Sequence, residues 1–352
     1  MKILTNFPGA PDQVDLPGGG RAHVIRARSR VEFRRHLGEA DLLIVNSGDS
    51  LVYEIAASFL LFPWKRRPVA CVDIILRKPQ NLADRLSAIL KRLLLSRIDC
   101  FIHYFRDIGG YTRYFGIPAT RSAYVPFKSN FWGFDLPDCT REEYIFTVGV
   151  SLRDYDTYIR AVAGLPYTAA ITEFALLHFE GRSSDFPWSR GNAPPNLMIL
   201  PDSGRREDLL RLLAKARVVV VPTQSSSLCA SGISTYLDAM YLGKCVIATA
   251  GPGTSDVLTD QAVLVPPHDV PALQSAIRRV CEDDDLRRRT AASGQRYARS
   301  LGGDGELIDR VFAECLRSFV RLKHLPGLTD AAGSIRESNG NQAMPFARGD
   351  KS

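Results

Sequence analysis

Residues 206–249 read REDLLRLLAKARVVVVPTQSSSLCASGISTYLDAMYLGKCVIAT, and this stretch decides the fold class. Arg206–Lys215 reads as a helix and Arg217–Val221 as a short apolar strand. A hydroxyl-rich loop follows and runs into a second helix, Thr235–Leu242. That helix stops at Gly243, a residue suited to the left-handed position past a helix end. Lys244–Thr249 is again a strand. Strand, polar turn and helix in regular alternation describe βαβ units, which build a parallel sheet covered on both faces.

The same rhythm extends outward in both directions. Towards the amino end the expected strands are Lys2–Thr5, His23–Arg26, Asp41–Val45, Val69–Asp73, Cys100–His103 and Ser122–Val125, with helices at Arg30–Leu37, Leu51–Leu60 and Asn81–Ser96. Nearer the quoted stretch stand strands Tyr144–Val148, Thr168–Thr172 and Leu197–Leu200 and helix Tyr155–Ala163. Beyond it come strand Ala262–Val265 and helices Val270–Glu282, Asp285–Ser300 and Gly305–Lys323. Gly133, Pro137 and Asp138 break the periodicity near Trp132–Glu143, and a fresh strand begins at Tyr144. A chain of 352 residues exceeds the usual single domain. The expected division is 1–140 and 141–303 as two Rossmann-like α/β domains, 304–324 as a closing helix, and 325–352, rich in Gly, Asn, Ser and Asp, as a disordered tail.

Composition narrows the function. Hydrophobic residues make up 45% and charged residues 24%, as in an ordinary globular protein. The formal charge of +7 fits an anionic ligand or an acidic membrane surface. The basic residues do not form one aromatic-interleaved patch, so nucleic acid is not an expected partner. Seven scattered cysteines without CxxC spacing argue against a disulfide framework and against a zinc site. The opening residues Met1–Phe7 are too short and polar for a signal peptide, and no apolar run reaches the ~20 residues of a membrane span. The expected location is cytoplasmic. No GxGxxG follows a strand, and there is no GxxxxGK[ST] or GxSxG.

In an open parallel sheet, ligands bind beyond the carboxyl ends of the strands. Four segments there carry candidate chemistry. In Gly149-Val150-Ser151-Leu152-Arg153-Asp154, the glycine lets backbone approach a ligand and Arg153 reaches for a phosphate; alternatively Arg153 pairs with Asp154 or Asp156. Pro222–Ser227, continued by Ser231-Gly232-Ile233-Ser234, offers backbone N–H groups to an anion at a helix start, or plain capping by Ser231 or Ser234. Asp238 stands beside the apolar stripe of Leu237, Met240 and Tyr241, as a ribose acceptor or a solvated helix residue. Gly251-Pro252-Gly253-Thr254-Ser255-Asp256 is a phosphate or sugar contact through Thr254, or a turn.

Taken in order, these segments resemble the C-terminal domain of the GT-B retaining glycosyltransferases known as glycosyltransferase group 1 (family 4-like). Tyr144–Ala161, Glu207–Thr223, Thr235–Thr249 and Ala262–Arg299 carry the resemblance. It implies two Rossmann-like domains whose parallel sheets face a central cleft, with the last helix crossing back to the first, acceptor-binding domain. It implies a nucleotide-diphosphate sugar as donor substrate, a glycan or lipid-linked acceptor, and a metal-independent, retaining hexosyl transfer for polysaccharide biosynthesis. Carried over, Arg153 stands where the family holds the donor diphosphate and Asp238 where its second acid holds the ribose. Gly149, Ser151, Ser231, Gly232, Ile233, Ser234 and Thr254 fall on the donor-binding loops. The chain departs from the pattern at Ala230, which occupies the first-acid position, and at Val150. His103 and Asp73 are the candidates for the first domain's contribution. A degenerate protein that binds nucleotide or glycan without turnover is the alternative, and a sugar-nucleotide epimerase a second. Asn81–Ser96 combines Arg85, Lys91 and Arg92 with six apolar residues, the pattern of a helix lying on the inner face of a membrane or of an ordinary core-packed helix.

Overall fold

The alternation resolves into two separate sheets. The computed structural model describes residues 1–46, 50–139, 142–173 and 193–322; the expected tail lies outside them. The first sheet holds β1 (Lys2–Thr5), β2 (Gln13–Asp15), β3 (Arg21–Arg26), β4 (Leu42–Asn46), β5 (Val69–Val72), β6 (Cys100–His103) and β7 (Ser122–Tyr124) in the order β2-β3-β1-β4-β5-β6-β7. The second holds β8 (Tyr144–Thr147), β9 (Ala169–Thr172), β10 (Leu197–Leu200), β11 (Ala216–Val221), β12 (Cys245–Thr249) and β13 (Val263–Val265) in the order β10-β9-β8-β11-β12-β13. Apart from the antiparallel β2–β3 pair, the pairings between these strands are parallel. The α-helices are α1 (Arg30–His36), α2 (Leu51–Leu61), α3 (Leu82–Leu95), α4 (Gly109–Phe115), α5 (Tyr155–Val162), α6 (Arg206–Ala214), α7 (Ile233–Tyr241), α8 (Val270–Glu282), α9 (Asp284–Ser300) and α10 (Asp304–Arg321).

Successive strand residues point to opposite faces, and both faces are apolar. Leu43, Val45, Val69 and Cys71 pack with Phe33, Val52, Phe59 and Tyr111 from the helices on one face. Ile44, Ala70, Val72 and Ile102 look the other way, onto Leu307, Val311, Phe312 and Phe319 of α10. The last helix therefore completes the core of the first sheet although it follows the second in sequence. The second sheet repeats the layering, with Phe146, Val219 and Val246 on the α7 side and Ile145, Val218 and Ile247 on the α5 and α8 side.

Two elements escape the sequence pattern. β2 is a three-residue, largely exposed strand. Its hairpin is closed by Leu16–Gly20, where Gly19 and Gly20 take φ of +92 and +81. So short and polar a strand leaves no apolar run to detect. α4 begins on two glycines, a poor helix-forming start, and is secured by burial of Tyr111 and Phe115. α7 begins at Ile233 rather than Thr235, because Gly232 adopts φ +91 as its N-cap.

Candidate functional site

The site is organised by one buried cation. Arg153 is 3% exposed. Its Nε donates to Val148 O at 3.0 Å, Nη1 to Ser151 O at 2.9 Å and Nη2 to Thr235 Oγ1 at 3.0 Å. Burial pulls its pKa below the ordinary arginine value, opposed by neighbouring Tyr155. The guanidinium passes between two glycines. A Cβ on Gly149, at φ +121, would stand 2.4 Å from Nη2, and one on Gly232 would meet Nη1 at 3.2 Å and Val221 Cγ1 at 2.4 Å. Leu152 is bent to φ +53 just before it, a conformation worth about 1–3 kcal/mol of strain. Arg153 thus ties the loop after β8 to the first turn of α7. The two acids of the alternative reading have partners of their own: Asp154 caps α5 by accepting from Thr157 N, and Asp156 pairs with Arg160.

Against this tie lies a cleft of about 250 Å³. It is bounded by Val150–Arg153 on one loop, Cys229–Thr235 on the other, and Asp73 and Ile75 from the first domain. Of the expected ligand residues, Ser151, Arg153, Ser231, Gly232, Ile233 and Ser234 meet here. The N–H groups of Ser234 and Thr235, in the first turn of α7, enter no backbone bond outside regular elements. The helix end therefore presents donors and a positive dipole to the cleft. Asp73, held at φ +55, faces them from the end of β5.

Three expected residues stand elsewhere. Gly149 turns the backbone beside Arg153 and does not line the cleft. Asp238 is 2% exposed, and its carboxylate accepts from Ser129 Oγ at 2.8 Å, Asn130 N at 2.6 Å and Asn130 Nδ2 at 3.1 Å. Burial raises its pKa, and those hydrogen bonds oppose the rise. Its oxygens bind the segment between the two domains, so in this arrangement they are not turned to a ribose. Thr254 is buried, and its hydroxyl bonds Thr249 O at 2.8 Å and Gly251 O at 2.9 Å, closing a turn. That turn brings Gly253 against Ala230, so that a Cβ added at Gly253 would stand 2.3 Å from Ala230 Cβ.

Sequence reasoning missed the seam between domains. Lys78 N donates to Ser226 O at 3.0 Å, Arg77 and Ser227 form an antiparallel bridge, and Cys229 joins the core of the first domain. Asp256 accepts from Arg106 N and Asp107 N, both at 2.7 Å. No local pattern announces such long-range backbone pairing. The two candidates from the first domain separate: Asp73 reaches the cleft, whereas His103 is 1% exposed among Phe101, Phe105 and Tyr111. Burial pulls His103 down to about 3, and its Nδ1 has no hydrogen-bond partner. Among the described residues, no cluster of three or more His, Cys, Asp or Glu side chains is arranged to hold a metal ion.

Residues 192–297 match the family model described as Glycosyl transferases group 1. Among solved structures, the fold is similar to a sucrose-phosphate synthase from Thermosynechococcus elongatus. That protein is 18% identical over 90% of this chain and 88% of its own, at TM-score 0.61. It is similar to the HepE protein of Anabaena in complex with UDP-glucose, 18% identical over 90% of this chain and 100% of that one, at TM-score 0.62. An α,α-trehalose-phosphate synthase from Burkholderia xenovorans in complex with glucose-6-phosphate is 14% identical over 82% of this chain and 75% of that one, at TM-score 0.57. No curated protein matches the chain by sequence.

Gly149→Ala is expected to lower stability by about 1–3 kcal/mol through backbone strain alone, with the collision on Arg153 adding to it. Gly251→Ala, where a Cβ meets nothing within 4 Å, is expected to stay near neutral; urea denaturation of both compares them. His103 gives a pH prediction. Its folded pKa of about 3 lies below the unfolded 6.5, so its contribution is present above pH 6.5 and is lost as pH falls towards 3. His103→Gln should flatten the stability loss in that window, read as urea midpoints against pH.

Proposed function

We propose that this chain, whose residues 192–297 match the group 1 glycosyl transferase model, is a glycosyltransferase that moves a sugar from a nucleoside-diphosphate donor to a glycan or lipid-linked acceptor, retaining anomeric configuration and needing no metal. The observation that carries this reading is the cleft itself, where the start of α7, the Ser151 loop and Asp73 converge. The chemistry follows from charge. When the donor's glycosidic bond breaks, negative charge collects on the leaving diphosphate. Donors and a dipole fixed before the reaction stabilise that charge without reorganising. The N–H groups of Ser234 and Thr235 and the hydroxyls of Ser231 and Ser234 are those donors. Arg153 acts as a positioning residue, holding Ser151 and Thr235 in register with three of its five N–H groups on protein oxygens. The uridine nucleotide bound to the similar Anabaena protein makes UDP the first ligand to test.

A specific observation favours a second reading, nucleotide binding without turnover. The position that carries the family's first acid is Ala230, which lines the cleft with a methyl group where the family places a carboxylate. Binding and turnover are therefore measured separately. In a thermal-shift series with UDP, GDP, ADP, dTDP and CMP, one nucleotide should stabilise the protein saturably. Ser234→Asp places a negative charge at the positive end of α7. It should leave the free protein's midpoint unlowered, or raise it slightly, and weaken the nucleotide at least about 10-fold, a coupling of about 1.4 kcal/mol. Stabilisation without donor hydrolysis or transfer favours the second reading; no stabilisation by any nucleotide removes both.

The acceptor side is proposed to touch a membrane surface through 81–96. α3 buries Ala88 and Leu95, while Leu82, Leu86, Ile89 and Leu90 are 58–72% exposed. Leu61 and Trp64 add 68% and 74% exposure nearby on the same domain. Arg85, Lys91 and Arg92 share the helix, so apolar insertion and attraction to anionic headgroups act together. No helix among the described residues is long and apolar enough to cross a membrane. Flotation with phosphatidylglycerol vesicles should carry the protein upward, neutral vesicles much less, and Leu86→Glu with Ile89→Glu should abolish it. Equal failure on both vesicle types with the unaltered chain removes the contact.

A further inference from the structure

A second cleft, of about 560 Å³, adjoins the first across Arg153, which lines both. It holds a constellation that glycosyl transfer does not use. His268 lies between β13 and α8, and its backbone is held at φ +57, a strained conformation for a side chain of this size. Its Nδ1 is 2.7 Å from Asp154 Oδ2, and its Nε2 is 2.9 Å from Ser225 Oγ. The Asp154 carboxylate is itself fixed, accepting from Thr157 N at 3.0 Å and Thr157 Oγ1 at 2.7 Å. Asp154 has only acceptors to offer, so Nδ1 carries the proton. Ser225 N also points at Nε2, from 3.3 Å, so Nε2 is the acceptor of the Ser225 groups. This is the tautomer a general base needs. Ser225 is exposed on its loop, within reach of a substrate entering from solvent.

We propose that Ser225, His268 and Asp154 form a nucleophilic triad that takes carboxylic esters. A nucleophile bonded to a base, and a base oriented by a buried third group, is the geometric signature of an activated serine. The step balances without a further reagent. Ser225 Oγ forms a bond to the ester carbonyl carbon while its proton passes to His268 Nε2. The carbon–oxygen bond to the alcohol breaks, and the alcohol leaves with that proton. Water then adds to the acyl-serine, gives its proton to Nε2, and the acid leaves as Ser225 regains its hydrogen. The oxyanion would form beside Gln80 and Arg77, which line the cleft from the first domain. A purely structural role would ask only that His268 join two loops, and an exposed serine hydroxyl at Nε2 would then carry no reactivity.

The test uses the full chain and a fluorophosphonate probe, with peptide mass spectrometry to locate the adduct. The expected result is a single adduct on Ser225, formed at least about 100-fold more slowly in His268→Ala and slower also in Asp154→Asn. p-Nitrophenyl acetate should be cleaved by the unaltered protein and not by Ser225→Ala. An unlabelled Ser225 in the unaltered protein, under conditions that label a reference serine hydrolase, overturns the proposal, as does an undiminished rate in His268→Ala. Neither readout involves a nucleotide, so failure here leaves the nucleotide reading standing, and the converse also holds.

Discussion

The cleft depends on a guanidinium buried between two glycines. Arg153 bonds the end of β8, the loop beyond it and the first turn of α7, and so sets the spacing of the two segments that line the cleft. The energetic logic is asymmetric. A buried cation is tolerable only where its N–H groups meet oxygens, and removing any one leaves a desolvated donor worth about 1–3 kcal/mol. The glycines follow from the arginine: no other residue gives Nη2 and Nη1 room at 149 and 232 while taking positive φ at both. An arginine placed to hold protein oxygens is a different device from one placed to hold phosphate, although both occupy the same position in a sequence.

That distinction marks the limit of what the sequence could carry. The two sheets were legible almost strand by strand, since period-two apolar runs and the residues between them are local signals; Cys100–His103 and Leu197–Leu200 are strands as read. The convergence of Ser151, Arg153 and Ser231–Ser234 was legible too, because strand ends in a parallel sheet share one edge. Orientation was not. Whether Asp238 turns to a ligand or to Ser129 and Asn130 depends on a segment 108–109 positions away. His103 and Asp73 look alike as polar residues at strand ends. They part only because three aromatic rings close over one and the chain bends to positive φ at the other. The β2 hairpin and α4 were lost for the opposite reason, having weak local preference and tertiary support.

The seam between the domains is made of two unlike parts. Along one edge, backbone groups meet backbone or carboxylate: Lys78 with Ser226, Arg77 with Ser227, and Arg106 and Asp107 with Asp256. Such bonds exchange with water at a net cost of about 1 kcal/mol each. The other edge is where the chain crosses. There Ser129 and Asn130 grip the buried carboxylate of Asp238, Phe131 enters the second core, and Lys128 pairs with Asp304 at 2.9 Å, binding the outgoing and returning strands of chain to each other. Breaking that part would leave a carboxylate uncompensated in a dry interior, several times more expensive than any bond on the first edge.

Cys229 and Leu228 sit in the first domain's apolar cluster, so the exchangeable edge carries apolar contact beside its backbone bonds. The loop that meets the first domain and the loop that shapes the cleft-facing end of α7 are the same: Gln224–Ser231 bonds the first domain through Ser226 and delivers Gly232 to Arg153.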